Sequence, residues 1–234
     1  MIPKTIHYCW FGGKPKPTSV LRCIDSWRKY CPDYEVKEWN EGNFDVNMTV
    51  YTRDAYQAGK YAFVSDVTRF WVLYQEGGVY FDTDVEVIRP IDDLVERGAF
   101  MGWEKADASG NMHVAPGLGL AAPKGFPLYK EVLDGFAQLP YYLEDGQWNP
   151  YTMIPLVTDL LKGMGMRIDG TRQTIDGLTV YPAEFLCPMD SLTGKIEKTN
   201  YTYTIHHYSM SWLPKSTQWR VKVMRLIRKC LFAY

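Results

Sequence analysis

Apolar and polar positions along the chain change period several times, and each change marks an element. Thr5-Ile-His-Tyr-Cys-Trp-Phe11 is short, β-branched and aromatic and stops at Gly12-Gly13, which predicts a first strand running into a loop. Beyond the breakers Pro15 and Pro17, residues Val20, Ile24, Trp27 and Cys31 fall at helical spacing, with Thr18 or Ser19 as the expected cap and Cys31-Pro32 as the stop. Residues 34–39 alternate again. The chain therefore opens strand, helix, strand, and the expected sheet is parallel and wrapped by helices. Residues 53–59 read as a short helix, and residues 61–76 as a longer one closed by Gly77-Gly78. Val79-Tyr80-Phe81 is then a strand running into Asp82-Thr83-Asp84, after which residues 85–88 alternate once more. Residues 108–125, rich in Gly, Ala and Pro, are expected to form a long loop beside that edge, with helices following at 129–139 and 153–161. No repeat, low-complexity tract or interdomain linker interrupts the pattern, so the 234 residues read as one elaborated α/β domain.

The acidic pair sits where a strand ends or kinks, which is where open α/β sheets bind ligands. Two carboxylates flanking one residue can together hold a divalent cation. Their hard oxygens suit magnesium or manganese, which in turn neutralises a diphosphate leaving group. The triplet alone carries little weight, because 16 aspartates in 234 positions give about one such spacing by chance. Its setting, behind a Gly-Gly turn and an apolar strand, is what separates it from solvated turn carboxylates. On the helical wheel of residues 61–76, Asp66 lies between Phe70 and Leu73 with Arg69 and Ala62 adjoining, so a charged pair occupies part of the apolar arc. The pair is either an i,i+3 salt bridge that satisfies itself or part of a site. In a site, arginine fits phosphate or sugar hydroxyls and aspartate fits the hydroxyls of ribose or a sugar. Farther on, one of His206 and His207 could complete the coordination of a cation. Neighbours in a strand point to opposite faces, so one of the two serves, and the residues leave open which. Ser211 and Trp212 could bind phosphate and stack a ring. The competing reading is two ordinary surface histidines before a Trp anchor. Trp10, at the end of the first strand, can stack on a base or sit in the core, and His7 is expected to be structural.

Composition narrows the function classes. With 46% hydrophobic and 23% charged residues the chain folds, and 26 basic against 27 acidic residues leave a net charge of -1, which argues against a nucleic-acid partner. Aromatics make up 15%, including 8 Trp and 17 Tyr, rings suited to stacking on bases and sugar faces. Five cysteines (Cys9, Cys23, Cys31, Cys187, Cys230) form no C-x-x-C pair, which fits neither a disulfide scaffold nor a structural zinc site and predicts a reducing cytosol. The N-terminus lacks the basic and long apolar regions of a secretory signal, and no stretch approaches a membrane span. A soluble, cytoplasmic protein is expected. Charge is uneven, however: from Lys198 onward there are seven basic residues and no acidic one, leaving 19 basic against 27 acidic residues before it. Residues 219–234 place Trp219, Val223, Leu226, Ile227 and Cys230 on one arc and Lys222, Arg225, Arg228 and Lys229 on another. The expected division is a catalytic domain over 1–214 and a basic amphipathic helix over 215–234. That helix either packs on the domain with its basic face in water, the favoured reading, or lies on the inner face of the cytoplasmic membrane. There each basic residue adds about 1 kcal/mol of attraction.

Three segments in this order, residues 2–13, residues 60–84 and residues 206–212, resemble the family-32 glycosyltransferases of the DxD type. That group takes in bacterial capsular polysaccharide glycosyltransferases and yeast-type initiating mannosyltransferases, and is related in its core to large glucosylating toxins. The resemblance implies a GT-A-type, Rossmann-like mixed sheet flanked by helices and a nucleotide-diphosphate sugar as donor, with Mn2+ or Mg2+ as cofactor. It also implies transfer with retention to a saccharide or lipid-linked saccharide acceptor, in bacterial surface polysaccharide synthesis. Carried over by position, the donor site is Cys9, Trp10 stacking on the base, Tyr61, Ser65, Asp66 and Arg69 on sugar hydroxyls, Tyr80, Asp82, and Ser211 with Trp212 over the diphosphate. Asp84 is the principal metal ligand, joined by Asp82 and His207, and the catalytic set is Asp82, Asp84, Asp66 and Arg69. In one departure, relatives often have Asn-Gly in the middle loop where this chain reads Ala115-Pro116-Gly117-Leu118-Gly119. No Asn or Asp occupies that point, and no general base is evident. That fits transfer in which the leaving diphosphate takes the acceptor's proton and the metal supplies the main stabilisation. A phosphatase of the haloacid dehalogenase type also carries a strand followed by D-x-D-x-V, as at residues 81–85, but there the motif normally opens the domain. A non-catalytic carbohydrate-binding module is the third reading, against which the intact Asp82, Asp84, Asp66 and Arg69 argue. Residues 102–125 and 141–155 are expected on the acceptor side.

Overall fold

The computed structural model describes residues 1–107, 109–210, 216, 217, 219–221 and 223–225. In chain order the elements are β1 (Thr5–Cys9), α1 (Thr18–Tyr30), β2 (Glu35–Trp39), α2 (Val50–Gln57), α3 (Tyr61–Glu76), β3 (Gly78–Tyr80), β4 (Val85–Val87) and α4 (Asp92–Glu96). They continue with β5 (Ala99–Gly102), β6 (Leu120–Ala122), α5 (Pro127–Gln138), α6 (Met153–Gly163), β7 (Gln173–Ile175), β8 (Leu178–Tyr181), α7 (Ala183–Leu186) and β9 (Thr204–His206).

The opening strand, helix and strand place β1 parallel to β2, and β3 joins the other side of β1, also in parallel. The seven-stranded sheet runs β2-β1-β3-β6-β5-β8-β7. Its second half departs from the parallel sheet that the opening suggests and agrees with the mixed sheet that the resemblance implies, because β6 is antiparallel to both β3 and β5, and β7 to β8. The cause is a strand inside the stretch expected to be loop. Leu120-Ala121-Ala122 is completely buried on both faces, so no polar alternation betrays it.

Side chains alternate across the sheet as the pleat requires. Ile6, Tyr8, Val79, Phe81, Phe100 and Ala121 face one core, with Val20, Ile24 and Trp27 of α1. Cys9, Tyr80, Met101, Leu120 and Ala122 face the other, with Val64, Phe70 and Leu73 of α3 and Val132 and Phe136 of α5. Each large buried apolar side chain contributes roughly 1.5–3 kcal/mol. Trp27 also donates from Nε1 to Val85 O at 2.8 Å, tying α1 to β4. Helix α1 begins at Thr18 behind Pro17, with no side-chain cap in place of the expected Thr18 or Ser19. The φ of -61° at Pro17 already turns the chain into the helix.

The Gly77-Gly78 turn follows from close approach. Both glycines have positive φ, and a Cβ on Gly78 would lie 2.7 Å from Thr5 O and 2.9 Å from His7 Nε2. This turn drops β3 directly beside β1. His7 beneath it is fully buried and structural: Trp39 Nε1 donates to its Nδ1 at 3.1 Å, and its Nε2 donates to Gly77 O at 2.9 Å. Both ring nitrogens are thus satisfied in the neutral form, and burial pushes the imidazole down to about 4.

A separate two-stranded ladder pairs β4 with β9 antiparallel, Val85 opposite His206. It carries the C-terminal part of the chain to the Asp82-Thr83-Asp84 segment. Described positions between 216 and 225 are helical, and Arg225 Nε donates to Ser191 O at 3.0 Å. Most of the basic segment 215–234 lies outside the described residues. Among those described, no helix is long and apolar enough to cross a membrane.

Candidate functional site

The carboxyl ends of β1 and β3 lie side by side and open into a cavity of about 760 Å³. Cys9, Trp10, Tyr61, Ser65, Asp66, Arg69, Tyr80, Asp82, Asp84 and His206 all line it. One wall is α3. The Arg69 side chain is only 3% exposed, and its Nη2 reaches Asp66 Oδ1 at 3.0 Å and Asp82 Oδ1 at 3.1 Å. Its Nε donates to Ser65 O at 3.1 Å, and its guanidinium sits 4.9 Å from the centre of the Tyr80 ring. Tyr80 OH donates to Asp82 Oδ1 at 3.2 Å. Asp66 and Arg69 therefore form both the internal pair and part of the cavity wall. Burial pushes the Asp82 carboxyl up and Arg69 opposes it; Asp66 is pushed up by burial in the same way.

The other wall comes from the β4–β9 ladder. His206 Nε2 is 3.1 Å from Asp84 Oδ1, and the Ser209 N–H donates to Asp84 Oδ2 at 2.7 Å. Burial alone would raise the Asp84 carboxyl, but His206 and Ser209 hold it well below the usual carboxylate range. Burial alone would likewise lower His206, but the facing Asp84 and Asp82 raise it. One ligand atom each of Asp82, Asp84 and His206 lie within 4.8 Å of one another. Two carboxylate oxygens and an imidazole are a donor set that fits manganese or magnesium, and among the described residues the buried Nδ1 of His206 has no hydrogen-bond partner.

The histidine placement corrects one expectation. His206, not His207, joins the aspartates. His206 pairs with Val85 in the ladder, so the pleat sends the next side chain the other way, and His207 Nε2 binds Glu86 Oε2 at 2.8 Å. Ser211 and Trp212 lie outside the described residues. Trp10 is half-buried at the rim, its Nε1 donating to Lys14 O at 2.6 Å and Lys16 Nζ 5.8 Å from its ring. The Cys9 thiol is pushed up to about 12 by burial and is a neutral wall group. Ser65 spends its hydroxyl on Tyr61 O at 3.1 Å.

This end of the sheet carries an Asp-x-Asp segment braced by a helix-borne Arg and Asp. Residues 17–101 match the glycosyltransferase sugar-binding region containing the DXD motif. The match holds Asp66, Arg69, Asp82 and Asp84. A stretch of 111 residues is 26% identical to inositol phosphoceramide mannosyltransferase 1 of Schizosaccharomyces pombe, covering 43% of this chain and 33% of that protein. Another of 107 residues is 32% identical to inositol phosphoceramide mannosyltransferase 3 of the same yeast, covering 43% of this chain and 29% of that protein. The chain thus spans about a third of the length of these curated relatives. In fold it is similar to a crystal structure of a glycosyltransferase involved in the glycosylation of the major capsid of PBCV-1. The TM-score is 0.53 at 13% identity, covering 95% of this chain and 99% of that one. The mixed sheet flanked by helices is of the GT-A type.

Sequence reasoning missed several groups of this DXD site. Gly117, in the turn Pro116–Leu118, presses its backbone on the acids: an added Cβ would collide with Asp82 Oδ2 and lie 3.2 Å from Arg69 Nη1. The segment that departs from the Asn-Gly pattern therefore touches the site through its main chain. Trp148 and Ile154 line the cavity from the region expected on the acceptor side. Glu104, just beyond β5, lines it too; burial raises its carboxyl to about 7, against the opposing pull of His206.

Proposed function

We propose that this chain is a metal-dependent glycosyltransferase that moves a sugar from a nucleotide-diphosphate sugar to a saccharide or lipid-linked saccharide acceptor. Transfer would proceed with retention, in the cytoplasm, as a step of bacterial surface polysaccharide synthesis. The observation that carries this reading is the convergence of Asp82, Asp84 and His206 on one point of a cavity that also holds Arg69, Asp66 and the Trp10 and Tyr61 rings. The DXD match over the same residues supports it. A bound Mn2+ or Mg2+ would neutralise charge on the departing diphosphate. Asp84 and Asp82 would hold it with His206, while Arg69 and Tyr80 keep the Asp82 carboxylate in place. Asp66, tied to Arg69 through Oδ1, keeps Oδ2 for a sugar hydroxyl, and Trp10 offers a ring for the base. We assign residues 1–214 to the catalytic domain.

The test is calorimetric titration with UDP, GDP and their sugars, with and without manganese, followed by donor hydrolysis on any hit. Binding is expected to require manganese, and Asp84→Ala is expected to lower donor turnover about 10²–10³-fold. Hydrolysis of a phosphomonoester without nucleotide binding would assign the chain to the dehalogenase-type phosphatases instead.

A further inference from the structure

Three of the four carboxylates that reach the cavity are matched within the protein. Asp66 is held by Arg69, Asp82 by Arg69 and Tyr80, and Asp84 by His206 and Ser209. Glu104 is the fourth, and among the described residues no hydrogen bond or ion pair engages its carboxylate. Its position is nevertheless rigid. The Glu104 N–H donates to His113 O at 3.0 Å, and the preceding Trp103 is fully buried, donating from its N–H to Tyr181 O and from Nε1 to Thr171 O, both at 2.9 Å. A half-buried carboxylate on a fixed backbone, open to the cavity, offers several acceptor lone pairs that the protein leaves unfilled.

The chemistry restricts what that donor can be. A diphosphate is anionic and repelled by Glu104, and the cation cluster of Asp82, Asp84 and His206 does not include it. A neutral hydroxyl group fits. We propose that Glu104 is an acceptor-contacting residue, whose carboxylate accepts a hydrogen bond from the attacking hydroxyl of the saccharide acceptor or, in its absence, from a water in the same place. The inference rests on the transferase reading. The transfer step itself keeps its balance: the hydroxyl oxygen bonds to the anomeric carbon while the bond to the diphosphate breaks. The bonding pair and the hydroxyl proton leave with the diphosphate. Before the bond breaks the hydroxyl points its one proton at Glu104, which orients the oxygen; as the diphosphate departs, the O–H turns and hands that proton to the diphosphate oxygen.

The experiment compares the wild-type chain with Glu104→Gln and Glu104→Ala, using the nucleotide sugar found to bind with manganese. Its dissociation constant is measured by calorimetry, and its turnover is followed with water alone and with a panel of methyl glycosides. The expected result is donor affinity within about twofold of wild type, with turnover lowered about 10- to 100-fold in Glu104→Ala and less in Glu104→Gln, which keeps one acceptor oxygen. Unchanged turnover, or affinity and turnover falling together, would overturn the inference while leaving the transferase reading intact. If the wild-type chain binds no nucleotide sugar, or turns none over, the transferase reading itself fails and the inference with it.

Discussion

On the α3 side of the cavity the charged groups are partnered inside the protein: a single guanidinium, Arg69, spans Asp66 and Asp82, Ser65 O and the Tyr80 ring complete its shell, and the guanidinium is almost inaccessible. On the β9 side polar atoms are left over: among the described residues the buried His206 Nδ1 has no hydrogen-bond partner, and no hydrogen bond or ion pair engages the Glu104 carboxylate. The two walls have different tasks. The internally partnered side is set in place before any ligand arrives, and the open side is where a ligand's own donors complete the structure.

Removing Arg69 should break the contrast most severely. Arg69→Met would leave two buried carboxylates without a counter-charge and should cost about 3–5 kcal/mol in urea unfolding. Adding Asp66→Asn should return part of that loss; a loss below about 1 kcal/mol would mean that the α3 wall is not held by charge. Acid probes the same side from beneath. Because His7 is held neutral with its pKa near 4 against an ordinary 6.5, its contribution is complete above 6.5 and is lost as pH falls toward 4. Unfolding free energy should drop by about 3 kcal/mol over that window from this group, and His7→Gln should remove the slope. Gly117→Ala is milder, pushing on Asp82 at the seam between the walls. It should cost about 1–3 kcal/mol and weaken manganese binding, both measurable on one preparation. The smallest effect separates the two histidines. His207→Ala should change stability by no more than about 1 kcal/mol and leave manganese affinity alone, whereas His206→Ala should weaken it. Equal effects on manganese would mean that the β9 register does not select the ligand.

The same contrast governs what could be read in advance. The α3 wall lies within residues 61–84, where helical spacing, a Gly-Gly stop and a short apolar strand put Asp66, Arg69, Asp82 and Asp84 in a common local frame. The parallel opening of the sheet was legible for the same reason. The other wall is assembled over long range. Whether His206 or His207 meets the acids depends on its register against Val85, which no local pattern encodes. β6 was hidden because a strand buried on both faces has no alternation, and its Ala and Gly neighbours resemble a loop. Glu104 sits alone among Trp103 and Lys105, a single carboxylate whose meaning depends on what the cavity brings near it.

The β4–β9 ladder has a consequence for the order of assembly. It joins residues 85–87 to residues 204–206, so the imidazole meets the aspartates only after everything between them has been synthesised and closed. A ribosome-bound chain still short of residue 204 presents Asp82 and Asp84 without their third partner. A cation held by all three would favour only the closed chain and stabilise it in proportion to its concentration, acting as a clasp fastened last.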